Sequence, residues 1–294
     1  MNKNVDIGSS ETTREAPTTV LIVKNFQLNH CFLPEHKKNI NSSFLEWFIG
    51  FTEGNECFCS RIADNRSRLS FEIVQKDAKL MYKIRTTLGF GMVRSFTRNN
   101  EMYYKYTVEN KQGLQRIMLL FNGNLVLMKR YVQFKNWIAV GKDIFPKNLV
   151  FKNQRVQVSL KNGWLSGFVE AEGCFYANFT PNSFSFNQKL TIIQKDPYGE
   201  SSVLQDILLL FQNPGKIHMA KKPDWYRIEF NSLKSQAIIV QYFSEFPLLG
   251  KKKIAFRRWW RIYLRRQKPE LEPMSLKTIE KYKKLCFMVN KEDI

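Results

Sequence analysis

The sequence predicts an α+β protein made of two pseudo-symmetric αββαββα domains with antiparallel sheets, and three observations support this fold class. The chain has 294 residues, of which 44% are hydrophobic and 24% charged, which is typical of a globular protein with room for two cores. Residues 47–58 (WFIGFTEGNECF) return 117 positions later as residues 164–175 (WLSGFVEAEGCF). The same order of helix and strand signals follows each copy. A repeat at a fixed offset of this size indicates two copies of one domain.

The similarity between the copies extends well beyond this segment. Residues 71–77 (FEIVQKD) match residues 190–196 (LTIIQKD), and residues 129–137 (KRYVQFKNW) match residues 251–259 (KKKIAFRRW). The offset grows slowly along the chain, because small loop insertions separate the elements of the second copy. The repeat therefore covers most of the chain.

Periodicity and turn residues predict the elements of the first copy in order. They are a helix at 44–54, strands at 57–64 and 68–75, a helix from the cap Asp77 to about Leu88, strands at 91–98 and 102–109, and a helix opened by Asn110. Asp64-Asn65-Arg66 and Asn99-Asn100 have the composition of hairpin turns.

The second copy has matching signals. Asp196-Pro197 predicts a helix start with proline at the first helical position, Asn213-Pro214-Gly215 a turn, and Asn231-Ser232 another helix start. An antiparallel sheet with helices on one face leaves its other face free for a partner. We therefore expect each copy to expose one polar sheet face.

The domain boundaries follow from the repeat. Residues 1–42 show no sustained period and are predicted to form an extension that orders on a partner. The first domain is predicted at 43–145, a linker at 146–159, and the second domain, with a basic C-terminal helix, at 160–294.

The charge balance indicates a polyanionic partner. Lys and Arg number 46 against 26 Asp and Glu, a formal net charge of +20. Such an excess favours nucleic acid. Residues 251–268 hold nine basic residues and no acid. On a helix, one stripe of this run would carry the basic side chains and another would dock; the basic stripe is Arg257, Arg261 and Arg265, and the docking stripe is Phe256, Trp260 and Leu264.

Several classes of protein are excluded by the composition. No apolar run is long enough to span a membrane, and the first residues lack a secretory pattern, so we expect a soluble intracellular protein without a membrane partner. The five cysteines have no zinc spacing, and reduced structural thiols are expected. His30, Cys31 and His36 resemble half of a metal site only by coincidence.

The small residues and carboxylates of the repeated segment resemble the motif of the LAGLIDADG homing endonucleases and intron maturases, of the single-chain type. The small residues that would let two helices approach closely are Gly50, Gly54, Gly167 and Ala171. The resemblance implies that the two motif helices pack at a pseudo-twofold axis in one monomer. It also implies saddle-shaped sheets and a nuclease centre beneath the helices.

The resemblance also implies the site residues. The metal-binding acid of the second motif is Glu172, whereas the first motif has Asn55 at that position, which is a degenerate site. An amide lacks the charge that makes a carboxylate a strong Mg²⁺ ligand. Glu56 is the neighbouring acid, but one residue along a helix end is a rotation of about 100°. Gln75 and Gln194 match residues that position water in the site, and Lys252 and Arg130 match the basic residue near the scissile phosphate.

Other charged residues near the motifs have alternative interpretations. Glu53 and Glu170 precede the metal-binding position, and a structural role is favoured for both. Lys76 and Lys195 could act electrostatically, but a solvated surface charge is an equal alternative for them and for Arg130.

Strand alternation predicts which side chains face the nucleic acid, although ordinary exposure is an alternative for many of them. They are Arg61, Arg94, Arg98, Tyr103, Lys105, Lys189, Thr191 and Arg227, with Lys251, Arg257, Arg261 and Arg265 from the basic run.

Two functions fit these observations. The first is a site-specific, Mg²⁺-dependent endonuclease for double-stranded DNA, encoded by a mobile group I intron in a mitochondrion or another organelle, with cleavage impaired by Asn55. The second is a non-catalytic protein that binds structured RNA, either an intron maturase or a scaffold on mitochondrial ribosomal RNA. The loss of one carboxylate is expected if cleavage is no longer needed.

Overall fold

A computed structural model describes the following residues of the chain: 20–28, 33–37, 39–55, 58–63, 66–145, 150–183, 185–195, 197–198, 201–213, 215–219, 224–267 and 275–291. Glu56, Asp64-Asn65, Asp196, His30 and Cys31 lie outside these residues, as do most of the predicted extension and residues 146–149.

The elements of the described part follow the predicted order in both copies. They are β1 (Leu21–Val23), α1 (Ser42–Gly54), β2 (Phe58–Ala63), β3 (Arg66–Gln75), α2 (Ala78–Leu88), β4 (Met92–Arg98), β5 (Glu101–Val108), α3 (Lys111–Phe121), α4 (Met128–Val140), β6 (Gln154–Val156), α5 (Trp164–Glu172), β7 (Gly173–Thr180), β8 (Ser185–Lys195), α6 (Ser201–Leu210), β9 (His218–Met219), β10 (Trp225–Phe230), α7 (Leu233–Glu245), α8 (Lys252–Arg266) and α9 (Leu276–Asn290).

Local capping explains where several helices begin. Asp77, Asn110 and Ser232 each accept a hydrogen bond from a backbone N–H in the first turn of α2, α3 and α7. Asn99 and Asn100 have φ of 51° and 60°, which is the left-handed region that a tight hairpin turn requires. These predictions are confirmed.

The two sheets have the same topology. Their strand orders are β2-β3-β5-β4 and β7-β8-β10-β9, and all neighbours are antiparallel. Gln75 lies opposite Tyr104 in the first sheet, and Gln194 lies opposite Tyr226 in the second. The predicted pair of α+β domains is therefore confirmed.

Each sheet packs its inner face on helices through aromatic rings. In the second copy, Phe175 of β7 contacts Phe243 of α7 and both Phe256 and Trp259 of α8. In the first copy, Phe58 of β2 packs on helices α3 and α4 in the same way. The helices therefore cover one face of each sheet, and the opposite face is called the outer face below.

The motif helices α1 and α5 cross at their glycines. A Cβ on Gly50 would overlap the carbonyl oxygen of Trp164, and a Cβ on Gly167 would overlap the carbonyl oxygen of Trp47. Further along, Gly54 lies against the methyl group of Ala171. The contacts are reciprocal, as a pseudo-twofold axis between the helices requires.

Four features differ from the sequence prediction or were absent from it, and one is helix α4, which follows the helix opened by Asn110. Leu21–Val23 of the predicted extension pairs in parallel with Gln154–Val156 of the predicted linker. Helix α9 packs on α8 and β7 and has no counterpart among the described residues of the first copy. The prediction that a helix begins at Pro197 is wrong, because α6 begins at Ser201.

Candidate functional site

The first acid of each motif is a buried cap for a distant helix. Glu53 is fully buried and accepts hydrogen bonds from the backbone N–H groups of Val126 and Leu127 and from Nε1 of Trp164, at 2.6–3.1 Å. Leu127 is the N-terminal cap residue of α4 and supplies no side-chain cap itself. The structure therefore agrees with the structural role that the sequence analysis favoured for Glu53, which is to cap the start of α4.

Glu170 caps the start of helix α8 in the second copy. Its carboxylate accepts from the backbone N–H groups of Leu249, Gly250 and Lys252 at 2.8–3.3 Å, at the start of α8. Burial raises the pKa of Glu170, and the backbone donors with the charge of Lys252 oppose that effect. Both early acids are thus occupied in positioning helices.

Glu172 ends helix α5 beside the crossing point. A Cβ on Gly54 would lie 3.1 Å from Cγ of Glu172, so this carboxylate sits against the first motif helix. Burial raises its pKa, and the positive charges of Lys129, Lys252 and Arg130 act in the opposite direction. One carboxylate therefore lies among three cations, two of which come from the first copy.

Asn55 occupies the matching place in the first copy, but its amide is engaged. Nδ2 donates to the carbonyl oxygen of Phe51 at 2.6 Å, and Oδ1 accepts from Nε2 of Gln75 at 2.7 Å. The amide therefore closes the end of α1 and ties it to the end of β3.

Gln194 differs from Gln75, its counterpart. Nε2 of Gln194 donates to the carbonyl oxygen of Lys195 at 3.1 Å, whereas its buried Oε1 has no hydrogen-bond partner among the described residues. A buried acceptor without a partner favours a bound water or cation. The two halves of the centre are thus unequal.

The predicted basic residues of the centre lie at the carboxyl ends of the motif helices. Nζ of Lys252 donates to the carbonyl oxygens of Ala171 and Val169 at 2.9 and 3.3 Å. Arg130 is 6% exposed and donates to the carbonyl oxygen of Glu53 and to Oε1 of Gln133, both at 2.8 Å. Cations at these positions also complement the helix dipoles.

Lys129 was missed by the sequence analysis as a site residue. The repeat aligns Lys129-Arg130 with Lys251-Lys252, and the alignment gave the catalytic position to Arg130 alone. The electrostatic effect on Glu172 comes from Lys129 ahead of Lys252 and Arg130. The adjacent lysine in the matched pair was the available signal.

Strand register assigns the predicted nucleic-acid contacts of the sheets to the outer faces. Arg94 lies opposite Lys105, and Arg61 lies opposite Arg68. Arg94, Arg98 and Arg61 are exposed, whereas Lys105 and Lys189 form ion pairs with Glu72 and Glu229 at 3.0 and 2.9 Å. Arg227 lies 3.4 Å from Glu229, Tyr103 stacks on Phe96, and Thr191 is only 8% exposed.

The basic helix α8 corrects one part of the prediction. Its docking stripe contains Phe256, Trp259 and Ile262, whereas Leu264 is 48% exposed and was wrongly assigned to that stripe. Arg257 and Arg261 are exposed on the side away from the sheet. Arg265 donates to the hydroxyl of Tyr282 and lies over its ring, because α9 covers this end of α8. Arg265 is therefore only partly exposed, and its contact with nucleic acid stays a prediction.

Three other predicted lysines are exposed at the surface. Lys76 pairs with Glu101 at 2.7 Å on the exposed hairpin of β4 and β5, and Lys195 is exposed. Lys251 is also exposed, and its backbone N–H donates to Asp77 of the first copy at 3.0 Å.

Among the residues that the structure describes, no helix is long and apolar enough to cross a membrane.

Comparison with protein families agrees with this geometry. The model of the LAGLIDADG endonuclease family matches residues 48–140 and 165–263, one match in each copy. The chain belongs to the LAGLIDADG endonuclease family. Helix α9 lies outside the matched residues.

Curated relatives of this LAGLIDADG protein are encoded in introns. It is 35% identical over 261 residues to "Probable intron-encoded endonuclease 4" of Neurospora crassa, a match that covers 86% of this chain and 45% of the relative. The chain thus spans about half the length of that relative. It is also 28% identical over 179 residues to "Intron-encoded RNA maturase bI4" of Saccharomyces cerevisiae, covering 58% of this chain and 26% of the relative.

Solved structures share the fold of this LAGLIDADG protein. The meganuclease I-AabMI bound to uncleaved DNA has a TM-score of 0.64 at 18% identity, covering 84% of this chain and 99% of that one. The homing endonuclease I-GzeII in complex with its DNA target has a TM-score of 0.64 at 20% identity, with 84% and 98% covered.

Proposed function

We propose that this chain binds one duplex DNA site across the outer faces of both sheets, and that any strand cleavage is confined to the Glu172 half of the centre. The observation that carries this proposal is the difference between the two halves. Asn55 is tied to Gln75 and Phe51, whereas Glu172 is a carboxylate among cations.

The residues on the second-copy side fit a divalent cation. The carboxylate of Glu172 and the unpartnered Oε1 of Gln194 are hard oxygen ligands, which suit Mg²⁺. Such an ion would act as a Lewis acid on the phosphate and would lower the pKa of a bound water. Among the described side chains, no group of three or more His, Cys, Asp or Glu could hold a metal, so nucleic-acid phosphates would complete the coordination.

The described residues on the first-copy side, which do not include Glu56, do not fit a cation. Oδ1 of Asn55 is neutral and already accepts from Gln75, and Nδ2 presents donors rather than lone pairs. A cation there would share Oδ1 with the hydrogen bond from Gln75 and would gain no negative charge from Asn55. We therefore propose that the strand at this half stays uncut.

The cations of the centre have a separate role in binding. Lys252 is fixed by two helix carbonyls, and Lys129 approaches Glu172 from the first copy. Charges held in place by the fold stabilise a phosphate without reorganisation when it arrives. These lysines would anchor the central phosphates whether or not a strand is cut.

The experiment that tests binding is selection from a random pool of duplexes with the full chain. We expect the recovered duplexes to converge on one site that a single protein copy occupies. Recovery of unrelated duplexes would contradict a site-specific function. Calcium is a suitable ion for the selection, since the relative I-SmaMI bound to its uncleaved DNA target was studied in the presence of calcium ions.

Binding of a folded RNA is the second candidate, and the basic surface behind the second sheet favours it. Arg257 and Arg261 of α8 are exposed there, and Lys277, Lys281 and Lys284 form an exposed stripe on α9. A duplex on the outer faces would not reach this side. A maturase, or a scaffold on ribosomal RNA, would be recognised by a specific RNA that co-purifies with the protein and is not cut.

We also propose an organellar, mitochondrial location. Relatives include an "Uncharacterized cox1 intron-2 37.2 kDa protein" of Schizosaccharomyces pombe and an "Uncharacterized mitochondrial protein RF1" of Saccharomyces cerevisiae. Detection of the protein in purified mitochondria would support this location, and its absence from them would contradict it.

A further inference from the structure

The outer faces of the two sheets carry a repeated pair of residues whose members have exchanged strands. In the first copy, Glu72 of β3 lies opposite Thr107 of β5. In the second copy, Thr191 of β8 lies opposite Glu229 of β10. Each pair stands three positions before the glutamine of the centre on the β3 or β8 strand. The two pairs therefore occupy the same place in the pseudo-symmetric molecule.

A lysine accompanies each glutamate and has exchanged strands with it. Nζ of Lys105 lies 3.0 Å from Oε2 of Glu72, and Nζ of Lys189 lies 2.9 Å from Oε1 of Glu229. In each copy the lysine stands two positions before the threonine on the same strand. Both sheets thus carry the same set of Glu, Lys and Thr. The glutamate lies on β3 in the first copy and on β10 in the second, and the lysine and threonine lie on β5 and on β8.

The position of these acids is unusual for a surface that meets a polyanion. Both glutamate side chains are 22% exposed and share the outer face with Lys105 and Arg227. A carboxylate opposite phosphates is repelled, and its ion pair with lysine only neutralises that effect. An acid within the same cross-strand pair of both half-sites, although on different strands, therefore needs a specific partner on the nucleic acid.

The carboxylates retain the capacity to accept further hydrogen bonds. An ionised carboxylate has about four acceptor sites. Among the described residues, both basic contacts of Glu229 are made by Oε1, so Oε2 keeps its acceptor capacity. Glu72 accepts from Lys105 and from Ser70, one donor on each oxygen.

The paired charges match one base pair in the major groove. Cytosine presents the N4 amine, a donor that a glutamate accepts, and guanine presents the O6 and N7 acceptors that a lysine contacts. Thymine offers a methyl group and a carbonyl, and adenine sets an acceptor beside its amine. A Glu–Lys pair is thus complementary to a C·G pair.

We propose that Glu72 with Lys105, and Glu229 with Lys189, each read one C·G base pair in the major groove, one in each half of the target. Glu72 and Glu229 accept from the cytosine N4 amine, and the lysines hold the carboxylates and contact the guanine. This inference rests on the proposed binding of duplex DNA.

Selection from random duplexes with the full chain tests the inference, using the natural sequence, Glu72→Gln and Glu229→Gln. The natural protein should prefer C·G by roughly tenfold at two positions, one in each half of the site. Glutamine recognises adenine, so each variant should change the preference toward A·T at one position only. Preference is the readout, because removing an acid raises affinity for every duplex.

The control variant is Glu245→Gln, which removes an exposed acid at the end of α7, behind the sheet. It should leave both base preferences unchanged. Retention of the C·G preference in Glu72→Gln and Glu229→Gln, or no such preference in the natural protein, would overturn the inference while leaving the proposed function intact. Recovery of no specific duplex by any variant would overturn the proposed function first.

Discussion

At the scale of residues, the two halves of the centre differ at one equivalent position, which is Asn55 in the first copy and Glu172 in the second. Asn55 and Glu172 end equivalent helices, yet Asn55 forms two short hydrogen bonds whereas Glu172 faces Lys129, Lys252 and Arg130. The amide of Asn55 has hydrogen-bond partners on both its nitrogen and its oxygen, whereas desolvation raises the pKa of Glu172 despite the three nearby cations. An ionisable group kept in an unfavourable environment is typical of functional sites.

Replacement of Glu172 by glutamine should therefore stabilise the fold at neutral pH. Burial raises the pKa of Glu172 above its usual value of 4.5, so the folded state favours the protonated carboxyl and ionisation opposes folding above that pH. The Tm of Glu172→Gln should exceed that of the natural protein at pH 7, and the gain should vanish as pH falls below about 4.5. A lower Tm at pH 7 would contradict this assignment.

Glu53 should behave in the opposite way on substitution. It is fully buried and accepts from the N–H groups of Val126 and Leu127 and from Trp164. Glu53→Ala leaves these donors unpaired, and we expect a loss of roughly 3–5 kcal/mol in the free energy of unfolding, measured by urea denaturation. A loss below about 1 kcal/mol would show that water replaces the carboxylate.

Long-range caps dominate at the scale of elements. Helix α4 begins at a leucine without a side-chain cap, and its N-terminus is closed by Glu53, more than seventy residues earlier. Asp77 caps α2 from the adjacent position and also accepts from Lys251 at the start of α8. The two copies are thus joined through their helix ends as well as through the motif helices.

These caps explain which elements the sequence could predict. Helices α2, α3 and α7 carry their own caps in Asp77, Asn110 and Ser232, and their starts were predicted correctly. The start of α4 depends on a distant acid and has no local signal. The β1 and β6 pair is three residues long in each strand and forms between segments far apart, so neither periodicity nor a turn indicates it.

The candidate site was only partly predictable for a similar reason. The repeat located Glu172, Asn55, Gln75 and Gln194, because motif and offset mark these positions directly. The closed amide at Asn55 depends on side-chain packing within the first copy, and the approach of Lys129 to Glu172 depends on packing across the pseudo-twofold axis. The partial cover of Arg265 could not be foreseen, because α9 has no counterpart among the described residues of the first copy.

The crossing of α1 and α5 should not tolerate a side chain at its glycines. A Cβ at Gly50 or Gly167 would overlap a backbone carbonyl of the partner helix, which cannot move without separating the helices. Gly50→Leu and Gly167→Leu should abolish the cooperative thermal transition. Gly215→Ala is the control, since its nearest neighbours are side-chain atoms of Asn213 at 3.1 Å or more. Stable folding of the leucine variants would contradict the close crossing.

Charge is distributed over two sides of the whole molecule. The outer faces carry Arg61, Arg94 and Arg98, and the opposite side of the second copy carries Arg257 and Arg261. Each side could bind a polyanion, but a duplex cannot contact both. The two proposed functions therefore differ in which side contributes to binding.

Salt titration of duplex affinity should distinguish these sides. Each phosphate contact contributes about −0.9 to the slope of log affinity against log salt. Arg94→Gln with Arg98→Gln should lower duplex affinity and flatten the slope by roughly two contacts, whereas Arg257→Gln with Arg261→Gln should leave both unchanged. The reverse result would assign binding to the helical side and favour the RNA candidate.

The central claim, that only the Glu172 half retains a cleavage-competent arrangement, is tested most directly by strand-resolved cleavage of the selected duplex in Mg²⁺. The natural protein should leave at least one strand intact, and Glu172→Gln should remove whatever nicking exists. Asn55→Asp should restore an acid to the first half and increase cutting of the second strand. Rapid cleavage of both strands by the natural sequence would contradict the account.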